Sequence, residues 1–132
     1  YLRTLVNAIH RSGAFFIKHT DGNLWPIIDG LVNTGIDALH SIDPVAGMDL
    51  ERLKEKYGDR ICLCGNVDIG LLQLGNPHEV VEAVKKCLRA AAHGGGYVLS
   101  TSNVIQKEHK KENVLAMIKA AKKYGVYPLR DK

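Results

Sequence analysis

The chain has 132 residues, of which 45% are hydrophobic and 24% charged, and its formal net charge is +4. This fits one soluble domain with a sizeable core, and no apolar run approaches the roughly 18 residues that a membrane span needs. The lysines lie mostly in helical segments without interleaved aromatic residues, which argues against a nucleic-acid surface. An odd set of three cysteines favours a reducing cytoplasm.

Helical and strand patterns alternate along the whole chain. In chain order, the predicted elements are a helix over 2–11, a strand over 14–18, a helix over 24–34, a strand over 36–42, a helix over 49–56, a strand over 60–64, a helix over 77–92, a strand over 97–100 and a helix over 111–124. Asp49 is placed to cap its helix, and Gly35 and Gly58 to close theirs.

One helix followed by four strand–helix units predicts an α/β fold with a parallel sheet. The spacing leaves two architectures open, a small doubly wound sheet or half of a (β/α)₈ barrel, which needs about 250 residues when complete. No Gly-x-Gly-x-x-Gly follows a strand, which argues against a dinucleotide-binding fold. The chain begins at Tyr1, inside a helical pattern, and we expect it to be a piece of a longer protein.

Polar residues follow the predicted strands at their C-terminal ends, which meet at one edge of a parallel sheet and commonly carry the chemistry of α/β enzymes. The residues collected there are His19, Asp21, Asn23, Ser41, Asp43, Asn66, Asp68, Ser100, Ser102 and Asn103. Imidazole, carboxylate, amide and hydroxyl groups in one mouth suit a polar small-molecule substrate, a metal ion, or acid–base catalysis.

Four motifs in order resemble the uroporphyrinogen decarboxylase (URO-D) superfamily. They are the run Gly65-Asn66-Val67-Asp68, the helix-to-strand junction Asn33-Thr34-Gly35-Ile36-Asp37-Ala38-Leu39, the helix opening Lys111-Glu112-Asn113-Val114, and the loop His19-Thr20-Asp21-Gly22-Asn23. That last loop is similar to the His-x-Cys-Gly-Asn/Asp loop of the corrinoid-dependent methyltransferase branch. The resemblance implies that residues 1–132 are the C-terminal half of a (β/α)₈ (TIM) barrel, with parallel strands.

The resemblance also implies an activity, which we expect only of the full-length protein. We favour methyl transfer between a small methylated substrate and a corrinoid carried by a partner protein. The first alternative is decarboxylation of uroporphyrinogen to coproporphyrinogen, which needs no cofactor. A non-enzymatic α/β binding module is the further alternative. We expect this chain either to form a homo-oligomer or to require the missing half of the barrel.

Site roles follow from the resemblance and from the strand ends. We assign catalysis to His19, Asp21, Asn66 and Asn103, and substrate binding to Asn23, Asp43, Asp68 and Ser102. Related thiol-alkylating methyltransferases bind zinc through His-x-Cys and a distant Cys. Here His19 is kept, while Asp21 and Asn103 stand at the cysteine positions, so His19 and Asp21 are predicted metal ligands. Asn103 also replaces the histidine of the decarboxylases' Gly-His-Gly.

Several of these residues also have a structural interpretation. His19 could be a loop residue bonded to backbone, Asp21 a cap of the helix over 24–34, and Asp68 a cap of a short turn over 69–74. Cys62 and Cys64 share one side of a strand, where packing is the favoured interpretation. We interpret His40 and His78 as structural or surface residues.

Overall fold

The computed structural model describes residues 1–129. Four parallel strands form one sheet in the order β1-β2-β3-β4, where β1 is Ile17–Thr20, β2 is Ala38–Ser41, β3 is Cys62–Val67 and β4 is Tyr97–Thr101. Each strand pairs with the next strand along the chain, in a register that aligns His19 with His40 and His40 with Cys64. All four C-terminal ends therefore lie at one edge of the sheet.

Helices connect the strands and form a second layer. They are α1 (Leu2–Arg11), α2 (Ile28–Val32), α3 (Leu50–Tyr57), α4 (Ile69–Leu74), α5 (Pro77–Ala91) and α6 (Lys111–Tyr124). The longest, α5, packs on β3 and β4 and against α3 and α6. Among residues 1–129, no helix combines the length and the apolar character needed to cross a lipid bilayer.

The helices cover only one face of the sheet. Leu39 and Leu63, on the covered face, are 0% exposed, whereas Ile17 and Val98, on the opposite face, are 60% and 52% exposed. A doubly wound sheet would carry helices on both faces and would reverse its strand order. Sequential order with one bare face is the arrangement of four consecutive units of a (β/α)₈ barrel, so the half-barrel prediction is confirmed.

Local capping explains where several helices begin. The Asp49 carboxylate accepts a hydrogen bond from the Arg52 amide at 2.9 Å, as predicted for the start of α3. At α5, the Asn76 side chain accepts from the His78 and Glu79 amides, and the Glu79 carboxylate accepts from the Asn76 amide in return. These reciprocal bonds satisfy backbone donors that the first turn leaves unpaired.

Several predicted strand and helix bounds need correction, including the second strand, which is Ala38–Ser41 rather than 36–42. The first strand is not 14–18 but Ile17–Thr20, and the third extends from Cys62 to Val67. The helix predicted over 24–34 is confined to Ile28–Val32, because residues 25–27, which include Pro26, form a turn. The helices predicted over 2–11 and 111–124 are confirmed, and the short turn over 69–74 is α4.

Candidate functional site

Two histidines face each other on the bare side of the sheet. His19 of β1 and His40 of β2 are register partners on adjacent parallel strands, so their side chains project from the same level. Their Nδ1 atoms are 2.7 Å apart, and the ring centroids are 4.9 Å apart. This is a hydrogen-bond distance, so one ring donates its Nδ1–H to the other.

Three further residues extend this pair into what we call the histidine cluster: His19, Asp21, His40, Ser41 and Ser100. Asp21 Oδ2 lies 3.6 Å from His19 Nε2, and the Ser41 hydroxyl donates to Asp21 Oδ1 at 2.8 Å. At the other end, His40 Nε2 lies 3.3 Å from Ser100 Oγ. The cluster thus spans the C-terminal ends of β1, β2 and β4.

Burial and charge keep the His40 ring neutral. Desolvation lowers the pKa of His40 below its usual value of 6.5, and the neighbouring His19 lowers this pKa further. A hydrogen bond with the Thr101 backbone and the Asp21 carboxylate oppose the shift. His40 therefore stays an uncharged hydrogen-bonding group at neutral pH.

The sequence analysis expected His19 to lie in a loop, but the structure places it in a strand. It is the third of the four residues of β1, because its strand pairs with β2 as far as Ser41. Asp21 is the first residue after β1. It does not cap α2, which begins seven residues later at Ile28. Its carboxylate instead bonds the Ser41 hydroxyl, which holds it beside His19.

Asn66 lies at the same edge of the sheet but on the helix side. It is the penultimate residue of β3, its side chain is 9% exposed, and its Nδ2 donates to the Ile42 carbonyl at 2.9 Å. The Cys87 thiol of α5 donates to Asn66 Oδ1 at 3.5 Å. The sequence analysis placed Asn66 past the end of its strand, whereas it lies inside β3, and its side chain bonds to neighbours outside the histidine cluster.

A cavity of about 650 Å³ opens on this helix side, between the loop after β2 and α5. Asn66 and Asp68 line it, together with Lys86, Cys87 and Arg89 of α5. The Asp68 carboxylate caps α4 by accepting from the Gly70 amide at 2.8 Å, so the capping interpretation of Asp68 is confirmed. The predicted site residues are therefore divided between the two sides of the sheet.

The remaining predicted residues accept hydrogen bonds from backbone amides. The bonds run from Trp25 to Asn23 at 3.1 Å, from Val45 to Asp43 at 3.0 Å, from Ile69 to Ser102 at 3.1 Å, and from Val104 to Asn103 at 2.7 Å. Such bonds shape the loops after the strands. The substrate-binding roles of Asn23, Asp43 and Ser102 and the catalytic role of Asn103 stay predictions.

The sequence analysis interpreted His40 as a structural or surface residue and did not predict its contact with His19. The sheet places it against His19, with a hydrogen bond at each end of its ring. The signal was the strand register, because a histidine within a predicted strand shares a level with the histidine of the preceding strand only if the two strands pair. One sequence does not reveal that pairing.

A zinc ion at His19 and Asp21 can be tested against these positions. Zinc bonds of about 2.0–2.1 Å in tetrahedral geometry place two donor atoms roughly 3.3 Å apart. The 3.6 Å between His19 Nε2 and Asp21 Oδ2 exceeds a good hydrogen bond and is close to that spacing. The two side chains therefore fit as one nitrogen and one oxygen donor of a shared ion.

Thiolates do not complete this donor set. Burial, with the neighbouring Cys62, raises the pKa of Cys64 to about 12, so Cys64 remains a thiol. Within residues 1–129, no three His, Cys, Asp or Glu side chains are grouped closely enough to hold a metal ion. A site at His19 and Asp21 would need further donors from solvent, substrate or other parts of the protein.

Comparison with known proteins identifies the family. The family model described as uroporphyrinogen decarboxylase (URO-D) matches residues 1–124. The chain belongs to the URO-D family. The uroporphyrinogen decarboxylase of Coxiella burnetii (strain Dugway 5J108-111) is 30% identical over 112 residues, which are 85% of this chain and 29% of that protein. The uroporphyrinogen decarboxylase of Erwinia tasmaniensis is 26% identical over 130 residues, or 36% of its length.

A solved structure supports the same fold. A methyltransferase from Methanosarcina mazei matches with a TM-score of 0.78 and 25% sequence identity, over 95% of this chain and 35% of the methyltransferase. The chain therefore spans about a third of the length of the URO-D relatives and of this neighbour. These relatives carry two different activities in their names.

Proposed function

We propose that the full-length protein is a corrinoid-dependent methyltransferase of the URO-D family. The observation that carries the proposal is the proximity of His19 to Asp21 at the mouth of the half-barrel, in the segment that resembles the methyltransferase branch. The likeness to the Methanosarcina mazei methyltransferase supports it. So does Asn103, which stands where the decarboxylases carry the histidine of Gly-His-Gly.

The residues of this chain would bind and orient a small methylated substrate. His19 and Asp21 would hold a metal ion, which supplies Lewis acidity when bound. Ser41 fixes the Asp21 carboxylate through its hydroxyl, so the carboxylate keeps its orientation while substrate enters. A partner protein would carry the corrinoid, and we place the whole reaction in the cytoplasm.

An assay of the full-length protein tests this proposal. Purified protein is mixed with free cobalamin in its reduced form and with methoxylated compounds or methylated amines, and methylated cobalamin is followed by absorbance. We expect a signal that His19→Ala and Asp21→Ala abolish and that the exposed His78→Ala retains. No methylation with any donor, together with porphyrin product, would replace this proposal by the alternative.

The alternative is decarboxylation of uroporphyrinogen to coproporphyrinogen. It is favoured by the curated relatives, which are named uroporphyrinogen decarboxylases. The histidine cluster would then act through hydrogen bonds and proton transfer, without a metal. Chromatography of the oxidised porphyrins after incubation with uroporphyrinogen decides between the two, since only this reaction shortens the acidic side chains of the macrocycle.

Metal content adds an independent test. We expect zinc to bind weakly to this chain, because carboxylate replaces thiolate in the donor set. We expect stronger binding to the full-length protein, because a complete site needs a further donor from the missing half. The measurement is elemental analysis of full-length protein before and after His19→Ala. Stoichiometric zinc that survives the substitution would move the site elsewhere.

A further inference from the structure

The cavity on the helix side of the sheet is separate from the histidine cluster, which lies on the bare side. It opens between the loop after β2 and α5, where α3 and α5 pack against each other. Its volume of about 650 Å³ falls within the range of roughly 300–1,000 Å³ that is usual for small-molecule sites. The strands beneath it, β2 and β3, are the two central strands of the sheet, so its walls do not depend on the missing half of the barrel.

Small side chains on α5 leave the room for this cavity. Ala83, Cys87 and Ala90 line it, and their spacing of four and three residues places them on one face of the helix. The other side of the cavity is lined by apolar side chains of the loop after β2 and the start of α3, namely Pro44, Met48 and Leu50. The cavity can therefore enclose the apolar part of a ligand.

The rim of the cavity carries opposite charges on its two sides. Lys86 and Arg89 line it from α5, and Asp49 and Glu51 line it from the start of α3. All four residues are exposed, and within residues 1–129 neither Lys86 nor Arg89 forms an ion pair with a carboxylate. The Asp49 carboxylate caps α3, but it has further lone pairs with which to accept hydrogen bonds.

The floor of the cavity adds polar groups with spare hydrogen-bonding capacity. Asn66, which is 9% exposed, lines it together with Asp68. Hydrogen bonds to the Ile42 carbonyl and from the Cys87 thiol use one N–H and one lone pair of the Asn66 amide. A side-chain amide has two of each, so one donor and one acceptor are left for a ligand.

We propose that this cavity binds a free amino acid with an apolar side chain. The carboxylate of the ligand pairs with Lys86 and Arg89, and its ammonium group pairs with Glu51 and Asp49. A simple anion would meet the two carboxylates of the rim, and a simple cation would meet its two basic groups, so a molecule that carries both charges fits best. The site is independent of the proposed methyl transfer, whose residues lie on the other side of the sheet.

Calorimetric titration of the full-length protein tests the charge requirement. The probes are L-leucine, isocaproate, which lacks only the ammonium group, and isoamylamine, which lacks only the carboxylate. We expect L-leucine to bind and each analogue to bind at least about fivefold more weakly, because each loses one set of charge-assisted hydrogen bonds. L-methionine and L-phenylalanine should also bind, since the cavity holds an apolar side chain.

Substitutions at the rim locate the binding. Glu51→Gln and Lys86→Gln remove one charge each at similar size and should weaken L-leucine binding about 5–10-fold. Lys56→Gln, at an exposed position of α3 outside the cavity, is the matched control and should bind like the wild type. His19→Ala, on the bare side of the sheet, should also bind like the wild type, so a failed methyl-transfer assay leaves this test intact.

Three outcomes would overturn the proposal. One is no binding of L-leucine, L-methionine or L-phenylalanine at millimolar concentration. Another is an analogue that binds as tightly as L-leucine. The third is L-leucine affinity within twofold of wild type in Glu51→Gln and Lys86→Gln. Ala83→Leu fills the cavity without changing its charge and should abolish binding, and if that variant does not fold, the two charge variants still decide the question.

Discussion

At the scale of single residues, polar side chains near the strand ends do two kinds of work. Some hold the chain in place, as Asp68 does by capping α4 and Asp43 does by accepting from the Val45 amide. Others, such as His19 and Asp21, are about half exposed and lie beside each other. Type and spacing alone do not separate the two groups, because both need polar atoms at the C-terminal ends of strands.

Asp37 provides a pH-dependent contribution to stability. Its carboxylate accepts from the Phe16 amide at 2.6 Å and from His10 Nε2 at 2.7 Å, and the Phe16 bond is the main cause of its lowered pKa. A lowered folded-state pKa means stability that is present above the unfolded value of about 3.9 and is lost as the pH falls through the folded value. The carboxylate therefore stabilises the fold at neutral pH.

We predict that Asp37→Asn lowers the free energy of unfolding at pH 7 by about 1–2 kcal/mol, since bonds to a charged acceptor are lost. The difference from wild type should shrink as the pH is lowered below about 4. Urea unfolding at several pH values measures it, with the exposed Asp59→Asn as control. A difference that stays constant with pH would contradict the assignment.

Ser102 allows a structural role to be separated from substrate binding. Its side chain is 1% exposed, and its Oγ accepts from the Ile69 amide at the start of α4. Ser102→Ala should lower the free energy of unfolding by about 1–3 kcal/mol, because a buried amide loses its partner. Thermal or urea unfolding provides the measurement. Wild-type stability with weakened substrate binding would instead support the predicted binding role.

At the scale of elements, the starts of capped helices could be predicted from the sequence, and the ends of strands could not. The start of α5 follows from Asn76 and Pro77, which act within one turn of the helix. The end of β3 at Val67 depends on its pairing with Thr101 of β4, more than thirty residues away. The contact between His40 and His19 was not predicted for the same reason, since the two residues lie on different strands.

The α5 capping box should contribute measurably to stability. Asn76→Ala removes the acceptor for the His78 and Glu79 amides, and we predict a loss of about 1 kcal/mol in the free energy of unfolding. His78→Ala, in the same first turn, keeps the cap and should change stability by less than about 0.5 kcal/mol. Equal effects in the two variants would show that the cap contributes nothing beyond helix propensity.

At the scale of the whole molecule, the strand order decides between the two architectures that the periodicity of the sequence left open. Doubly wound sheets and half-barrels share the same alternation of strands and helices, and they differ in which strands pair and in whether the second face is covered. The exposed Ile17 and Val98 show that this second face is bare in residues 1–129. In a complete barrel this face would be the packed interior.

We predict that the isolated chain self-associates through the bare face. Val98→Lys should shift it toward monomer, because a charge enters an apolar contact, and should destabilise the full-length protein, where the same position lies inside the barrel. Sedimentation velocity and thermal unfolding measure the two effects. Val45→Lys, at an exposed loop position, is the control. A monomeric wild-type chain at high concentration would contradict the prediction.

The order of strands has one more consequence. Within the described chain, β1 pairs only with β2 and β4 only with β3, so each outer strand has one row of backbone amides and carbonyls without a strand partner. Those rows are the seams at which a barrel closes. A second polypeptide bearing the complementary strands would meet ready-made pairing partners there, which makes the protein suited to fragment complementation, with activity returning only when the two pieces reassemble.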